Sequence, residues 1–205
     1  LRRPPNTATG YLPAVVICHG VPSGQPPNPS DPGYPALADR ICGIGMAVVI
    51  FNFRGTGASG GDFDLVGWVE DLRSILAMTR SQPDVDPERV ALLGFSAGAA
   101  VSICVAAQDS LVRGIICCAS PAEFAFAKHR QDLEQFLMRA REIGIVRDPA
   151  FPPSVERWME GFATVSPQFW VERIAPRPVV IIHGTVDEVV DVAHASRLYA
   201  LAGQP

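Results

Sequence analysis

Arg89-Val90-Ala91-Leu92-Leu93-Gly94-Phe95-Ser96-Ala97-Gly98-Ala99-Ala100 is the stretch that decides how this chain is read. Val90 to Leu93 is a short apolar run of the kind that forms a buried strand, and a small-residue helix is expected from Ala97 to about Gln108. Between the two sits Gly-x-Ser-x-Gly, with Gly94 and Gly98 two residues to either side of Ser96. A sharp strand-to-helix turn needs that spacing, because a side chain at either glycine would collide with the neighbouring strand or helix. Such a turn lifts the Ser96 hydroxyl out of the sheet to a helix N-terminus. There the amide of Ala97 points at any negative charge developing on a carbonyl oxygen.

The chain around this turn is that of an ordinary globular domain. Its 205 residues are 48% apolar and 19% charged, with a net charge of −4. One domain over 1–205 is expected. The charge offers no basic footprint for nucleic acid and no polybasic patch for an anionic membrane. The longest apolar stretch, Ala97 to Ala107, is too short to span a bilayer. The five cysteines show no CxxC and no Cys/His ligand spacing, so buried free thiols in a reducing, cytoplasmic compartment are expected, with no metal or organic cofactor. The chain starts without Met, shows no apolar signal region, and stops at Gln204-Pro205, so both native ends are expected to lie beyond it.

Moving outward, Leu1 to Tyr11 reads as the tail of an edge strand and a turn. Ala14 to Cys18 is a buried strand that runs into His19-Gly20-Val21, and Gln25 to Pro35 is loop. A helix over Ala36–Ile44 and a strand over Ala47–Phe53 follow. The latter delivers Arg54-Gly55-Thr56-Gly57-Ala58-Ser59-Gly60, which also fits a dinucleotide fingerprint. No helix opens directly behind it, however, and no acidic strand end follows at the required distance, so Arg54 is expected to pin the loop from beneath. Val66 to Arg80 is an amphipathic helix, and Gly114–Ala119 and Val179–His183 are further strands. Strands alternating with helices predict a mostly parallel sheet with helices on both faces. Between Pro121 and Ile174, a stretch with six of the ten phenylalanines, the pattern changes to long helices over Phe124–Ile143 and Ser154–Ala163. A helical lid inserted over about 121–174 is expected, with additional core as the plainer alternative.

Two more stretches bear on chemistry. The turn after His19-Gly20 can aim the Val21 amide at the same oxyanion position as Ala97, with His19 itself structural. Asp187, in Gly184-Thr185-Val186-Asp187 after a strand, falls on the sheet edge where open α/β folds place their sites, so it is the candidate to orient an imidazole. Glu188 and Asp191 are weaker candidates for that role.

The order of these elements resembles the α/β-hydrolase family over nearly the whole chain. The resemblance rests on His19-Gly20, Arg54-Gly55-x-Gly57-x-Ser59-Gly60, the Gly94 to Gly98 turn and Gly184-Thr185-Val186-Asp187. It looks closest to single-domain esterases and to the catalytic domains of acylaminoacyl-type peptidases. It implies Ser96 as nucleophile, Asp187 as triad acid and the amides of Val21 and Ala97 as oxyanion donors. The family's histidine, expected on a loop one strand after the acid, has no counterpart here. Only His194 lies beyond Asp187, in a helix read as Val189–Leu201 that should run away from Ser96. The expected base is therefore a histidine within roughly 35 residues after Pro205, with His194 as the competing candidate. The expected activity is that of a carboxylesterase-like serine hydrolase on a small acyl substrate. A hydrolase-like binding protein without turnover, or an aminopeptidase or thioesterase of the same fold, are the alternatives. Oligomeric state is not readable from the residues.

Overall fold

The computed structural model describes residues 1–4, 11–26 and 28–203, with the backbone alone at 127 and 128. Most of the expected Leu1–Tyr11 segment and the last residues, 204 and 205, fall outside the described residues. Five strands, β1 (Leu12–Cys18), β2 (Ala47–Ile50), β3 (Val85–Phe95), β4 (Val112–Cys118) and β5 (Val179–Ile182), form one sheet in the order β2-β1-β3-β4-β5. All four pairings are parallel. Parallel neighbours need crossovers, and the chain supplies them with α1 (Gly33–Gly43), α2 (Leu65–Arg80), α3 (Ala97–Gln108) and the segment between β4 and β5. The helix α6 (Ala193–Leu201) follows β5.

The sheet is apolar on both faces, as a covered parallel sheet requires. On β1, Ala14, Val16 and Cys18 pack into the larger core with α2 and α3, whereas Val15 and Ile17 join Ala38 and Cys42 of α1 on the other face. The cover of that second face stops short. Ile116, Val180 and Ile182 on β4 and β5 are exposed. α3 is buried on nearly every side, which its run of Ala, Val and Ile permits. α2 starts where Asp64 accepts the Gly67 amide at 2.9 Å, a carboxylate N-cap.

The element boundaries differ from the sequence expectation where side chains compete for backbone groups. β2 ends at Ile50 instead of Phe53. Phe53 is fully buried all the same, because its ring stacks on Trp68 with centroids 4.3 Å apart. The expected helix over Phe124–Ile143 is broken into a 3₁₀ turn at Ala125–Lys128 and α4 (Arg130–Glu142). α5 (Val155–Val165) follows, capped by Ser154, and two 3₁₀ turns lead to β5. The expected helix Val189–Leu201 begins only at Ala193. Asp187 and Asp191 take the amides of Val189, Val190 and Ala193 with their side chains, so these residues form a turn. β3 and β4 end side by side at Phe95 and Cys118, and the 121–174 segment packs over them.

Aromatic rings of that segment build one continuous cluster. Phe63, Phe124, Phe126, Phe136, Trp158 and Phe162 make ring contacts at centroid distances of 5.0 to 6.4 Å. Leu133, Trp158 and Phe162 belong to the same core as α2 and α3, so the insertion is packed onto the domain as an integral part of it.

Candidate active site

Ser96 sits at the turn between β3 and α3 with φ 50° and ψ −123°. A serine pays strain in that region, and the surroundings hold it there. Its amide donates to the Cys118 carbonyl at 2.9 Å, and its own carbonyl accepts the amides of Ala99 and Ala100. A Cβ at Gly94 would lie 2.5 Å from the Ala99 Cα, so only glycine allows the chain to double back at this pitch.

The His19-Gly20 turn lies directly against Ser96. An ideal Cβ on Gly20 would stand 3.0 Å from the Ser96 Cβ and 3.6 Å from its Oγ. His19 is structural, as its sequence context suggested. Its Nδ1 donates to the Gly20 carbonyl at 2.7 Å and its Nε2 accepts the Phe53 amide at 3.2 Å, which fixes the ring in the Nδ1–H form. Burial holds its pKa below the ordinary histidine value, and the Gly20 hydrogen bond only partly offsets this. The ring thus anchors the turn to the start of the next loop. That leaves the amides of Val21 and Ala97 without an acceptor among the described residues, both beside Ser96.

Two cavities meet at Ser96. One of about 760 Å³ is walled by His19, Tyr34, Phe51, Asn52, Thr56 and Gly57, and a second of about 360 Å³ by Phe124, Phe126, Phe136, Phe162 and His194. Val21 and Ser96 line both, and Ala97 lines the second. The loop Arg54 to Gly60 forms part of the first wall and carries no phosphate-type helix start, since α2 opens only at Leu65. Arg54 pins it as expected: its guanidinium meets the Asp71 carboxylate at 2.7 Å, its amide also donates to Asp71, and its carbonyl accepts the Trp68 indole N–H. From the insertion, Arg147 reaches the same loop and donates to the carbonyls of Ser59, Gly57 and Gly55 at 2.9, 3.3 and 3.3 Å. Sequence reading passed over Arg147, since a lone arginine in a loop carries no signal of which carbonyls it will meet.

Asp187 lies on the C-terminal edge after β5, two strands from Ser96 across β4. Its Oδ1 accepts the amides of Val189 and Val190, both at 2.9 Å. These bonds, Val190 first, hold its pKa below the usual carboxylate range, opposed by partial desolvation. Its Oδ2 lies 3.6 Å from His183 Nε2, too far for a hydrogen bond, because that nitrogen donates to the Val190 carbonyl at 2.7 Å instead. One carboxylate oxygen is thus fixed and the other is open. Of the weaker candidates, Asp191 accepts the Ala193 amide at the start of α6 through Oδ1, and Glu188 is exposed.

His194 departs from expectation. Its side chain is turned inward to the cavity that Ser96 lines, where Nδ1 accepts the Ala122 amide at 3.0 Å. The turn at 187–192 brings α6 onto this edge, and nothing in the helical pattern of the sequence announces it. His129 stands exposed ahead of α4. Among the described residues no group of three or more His, Cys, Asp or Glu could hold a metal ion, and no helix is long and apolar enough to cross a membrane. The five cysteines are free.

The chain is similar to the protein Rv2307c of Mycobacterium tuberculosis, with 30% identity over 211 residues that cover 98% of this chain and 62% of that protein. It therefore spans less than two thirds of that relative's length. Among solved structures, an alpha-beta serine hydrolase homologue from Coxiella burnetii superposes with a TM-score of 0.60 at 26% identity, covering 99% of this chain and 75% of the other. The esterase domain of a Rhodothermus marinus protein does so with a TM-score of 0.68 at 19% identity, over 99% and 77%. The latter likeness speaks for the fold alone. The alpha/beta hydrolase family matches from residue 15 to residue 204, and with the parallel sheet and its serine turn this settles kinship: the chain belongs to the alpha/beta hydrolase family.

Proposed function

We propose that this chain carries the nucleophile, the oxyanion donors and the acid of a serine hydrolase that cleaves carboxylic esters through an acyl-enzyme on Ser96. The observation that carries this reading is the strained Ser96 with two unclaimed amides, of Val21 and Ala97, in the same cavity. Ser96 Oγ attacks the ester carbonyl carbon while a histidine takes its proton. The oxygen that gains the charge is held by the two amides, each contributing on the order of 3 kcal/mol to the transition state. Collapse breaks the bond to the alcohol, which leaves with the proton from the imidazolium, and water then releases the acid by the same steps in reverse roles. The free Oδ2 of Asp187 accepts from the imidazole and keeps its other nitrogen directed at Ser96.

The base is a histidine that follows residue 205. The rings of His19, His183 and His194 are each tied to backbone groups, and His129 is exposed on the insertion. Ser96 and Asp187 flank the end of β4 at about 10 Å by strand spacing, which leaves a gap an imidazole can bridge. β5 is the outer strand among the described residues, with Val180 and Ile182 exposed, so one more strand can pair there and deliver the loop. The insertion over 121–174 serves as a lid that shapes the acyl side. The full-length protein is expected to be labelled by a fluorophosphonate probe at Ser96 and to hydrolyse a short p-nitrophenyl ester. Labelling that persists in Ser96→Ala overturns the assignment. Failure of the full-length protein to turn over esters, thioesters and aminoacyl amides alike makes it a hydrolase-like binding protein instead.

A further inference from the structure

Besides the Ser96 hydroxyl, the aromatic cavity is lined by a second side-chain donor, the His194 ring, that has nothing to donate to among the described residues. His194 Nδ1 accepts the Ala122 amide at 3.0 Å, and an N–H directed at that nitrogen requires its lone pair, so the ring proton is on Nε2. This excludes His194 as the base, since one nitrogen is engaged as acceptor and the other is already protonated. Nε2–H has no acceptor among the described residues and is not one of the buried partnerless atoms, so it is open to solvent on a ring that lines the cavity. The facing walls are Phe124, Phe126, Phe136 and Phe162, which accept no ordinary hydrogen bond. Glu123, the cavity's carboxylate, is engaged by Arg197 at 2.9 Å and faces Gln168.

We propose that His194 is a specificity-determining residue: its Nε2–H donates to a neutral oxygen on the acyl group, a ketone or ether beyond the carbonyl that reacts. The inference rests on the hydrolase reading above and names the substrate class of that site. A carboxylate in this place is disfavoured, because a wall of phenyl rings provides no cation to offset its desolvation. A purely hydrocarbon chain, conversely, buries the donor unpaired.

The test uses full-length protein and p-nitrophenyl hexanoate beside analogues in which an ether oxygen replaces the methylene at C4 or at C5, too far from the carbonyl to activate it. The comparison variant is His194→Asn, whose Oδ1 stands near the position of Nδ1 and keeps the Ala122 amide paired while the Nε2 donor is gone. At least one oxygen analogue should show a kcat/KM about tenfold above hexanoate in the wild type, the worth of about one hydrogen bond. His194→Asn should abolish that preference, so that hexanoate and the oxygen analogues are turned over with similar kcat/KM. If every oxygen analogue is slower than hexanoate in the wild type and His194→Asn leaves the order unchanged, His194 only supports the backbone and the proposal falls. The matching amides, which the protein need not cleave, are titrated while the His194 ring is followed by ¹H–¹⁵N NMR. A shift of Nε2 with the oxygen-bearing amide and none with hexanamide upholds the donor role even if no ester is turned over, in which case the hydrolase reading alone fails. No shift with either amide overturns the donor role.

Discussion

Gly98 passes so close to the end of β1 that an added Cβ would stand 2.2 Å from the His19 carbonyl oxygen and 2.4 Å from that of Cys18. Both are backbone atoms in the centre of the sheet and neither can give way. Gly98→Ala is therefore expected to destabilise by about 3 kcal/mol or more, at the upper end of overpacking, and to abolish Ser96 reactivity. Gly43 at the end of α1 has no atom within 4 Å of its Cβ position and no left-handed φ, so Gly43→Ala should stabilise by about 0.5 kcal/mol. Urea unfolding of the two variants checks both signs at once.

Asp187→Asn keeps the turn, because an amide oxygen still accepts from Val189 and Val190, but removes the charge that faces an imidazolium. On the hydrolase reading, kcat falls by about 10³ to 10⁴-fold with KM little changed. Asp191→Asn, at a carboxylate that accepts the Ala193 amide just ahead of α6, should leave kcat within about threefold. Steady-state kinetics on one p-nitrophenyl ester separates the two. The depressed pKa of Asp187 also fixes the acid limb of the rate profile. The carboxylate remains charged as pH falls through the range where imidazole protonates, so activity should be lost with the histidine and not with Asp187.

The 360 Å³ aromatic cavity sets a chain-length rule. Each buried CH₂ contributes roughly 0.8 kcal/mol, about fourfold, so kcat/KM should climb from acetyl to C4 to C6 esters. A flat series means that the phenyl rings close on each other and leave no space for the chain. Phe162→Ala, which opens the cluster, should move the optimum to longer acyl groups.

Burial pushes the Cys18 thiol up to about 12 and that of Cys104 to about 11, and raises Cys117 further. At pH 8 a thiol near 12 is about 10⁻⁴ ionised and one near 11 about 10⁻³, so iodoacetamide should alkylate Cys18 some three orders of magnitude, and Cys104 some two orders, more slowly in the native than in the unfolded protein. A raised native pKa gives stability that is fully present below the unfolded value and lost as pH rises above it. Above about pH 9 the unfolding free energy should decline by about 1.4 kcal/mol per pH unit per such thiol, and less steeply in Cys18→Ala. Urea midpoints at pH 8, 9 and 10 read this out.

What could be seen in the chain beforehand was what local geometry dictates. The Gly94, Ser96 and Gly98 spacing is a steric requirement of one turn, so it marks the strand-to-helix turn at Ser96 without knowledge of anything distant. Strand cores such as Val90 to Leu93 are recognisable because burial on both faces leaves continuous apolar runs. Features settled by distant partners were hidden. Phe53 reads as strand because it is apolar, yet its burial comes from stacking on Trp68. The apolar run marks only Val90 to Leu93, whereas β3 starts at Val85 and carries Pro87, Glu88 and Arg89 across a shifted register, Leu12 pairing with Val85 and Ala14 with Val90. The inward turn of His194 depends on the amide of Ala122, 72 residues away, and no periodicity encodes that contact.

Arg147 has a mechanical consequence. Its guanidinium joins the insertion to the loop of Gly55, Gly57 and Ser59 through three carbonyls, while its amide and that of Asp148 are held by Asp62. Gly57 belongs to the wall of the larger cavity, and the insertion roofs the smaller one. The two chambers on either side of Ser96 thus share this strut. Any outward displacement of the insertion has to drag the far wall along or unfasten it, so what occupies one chamber is felt by whatever occupies the other.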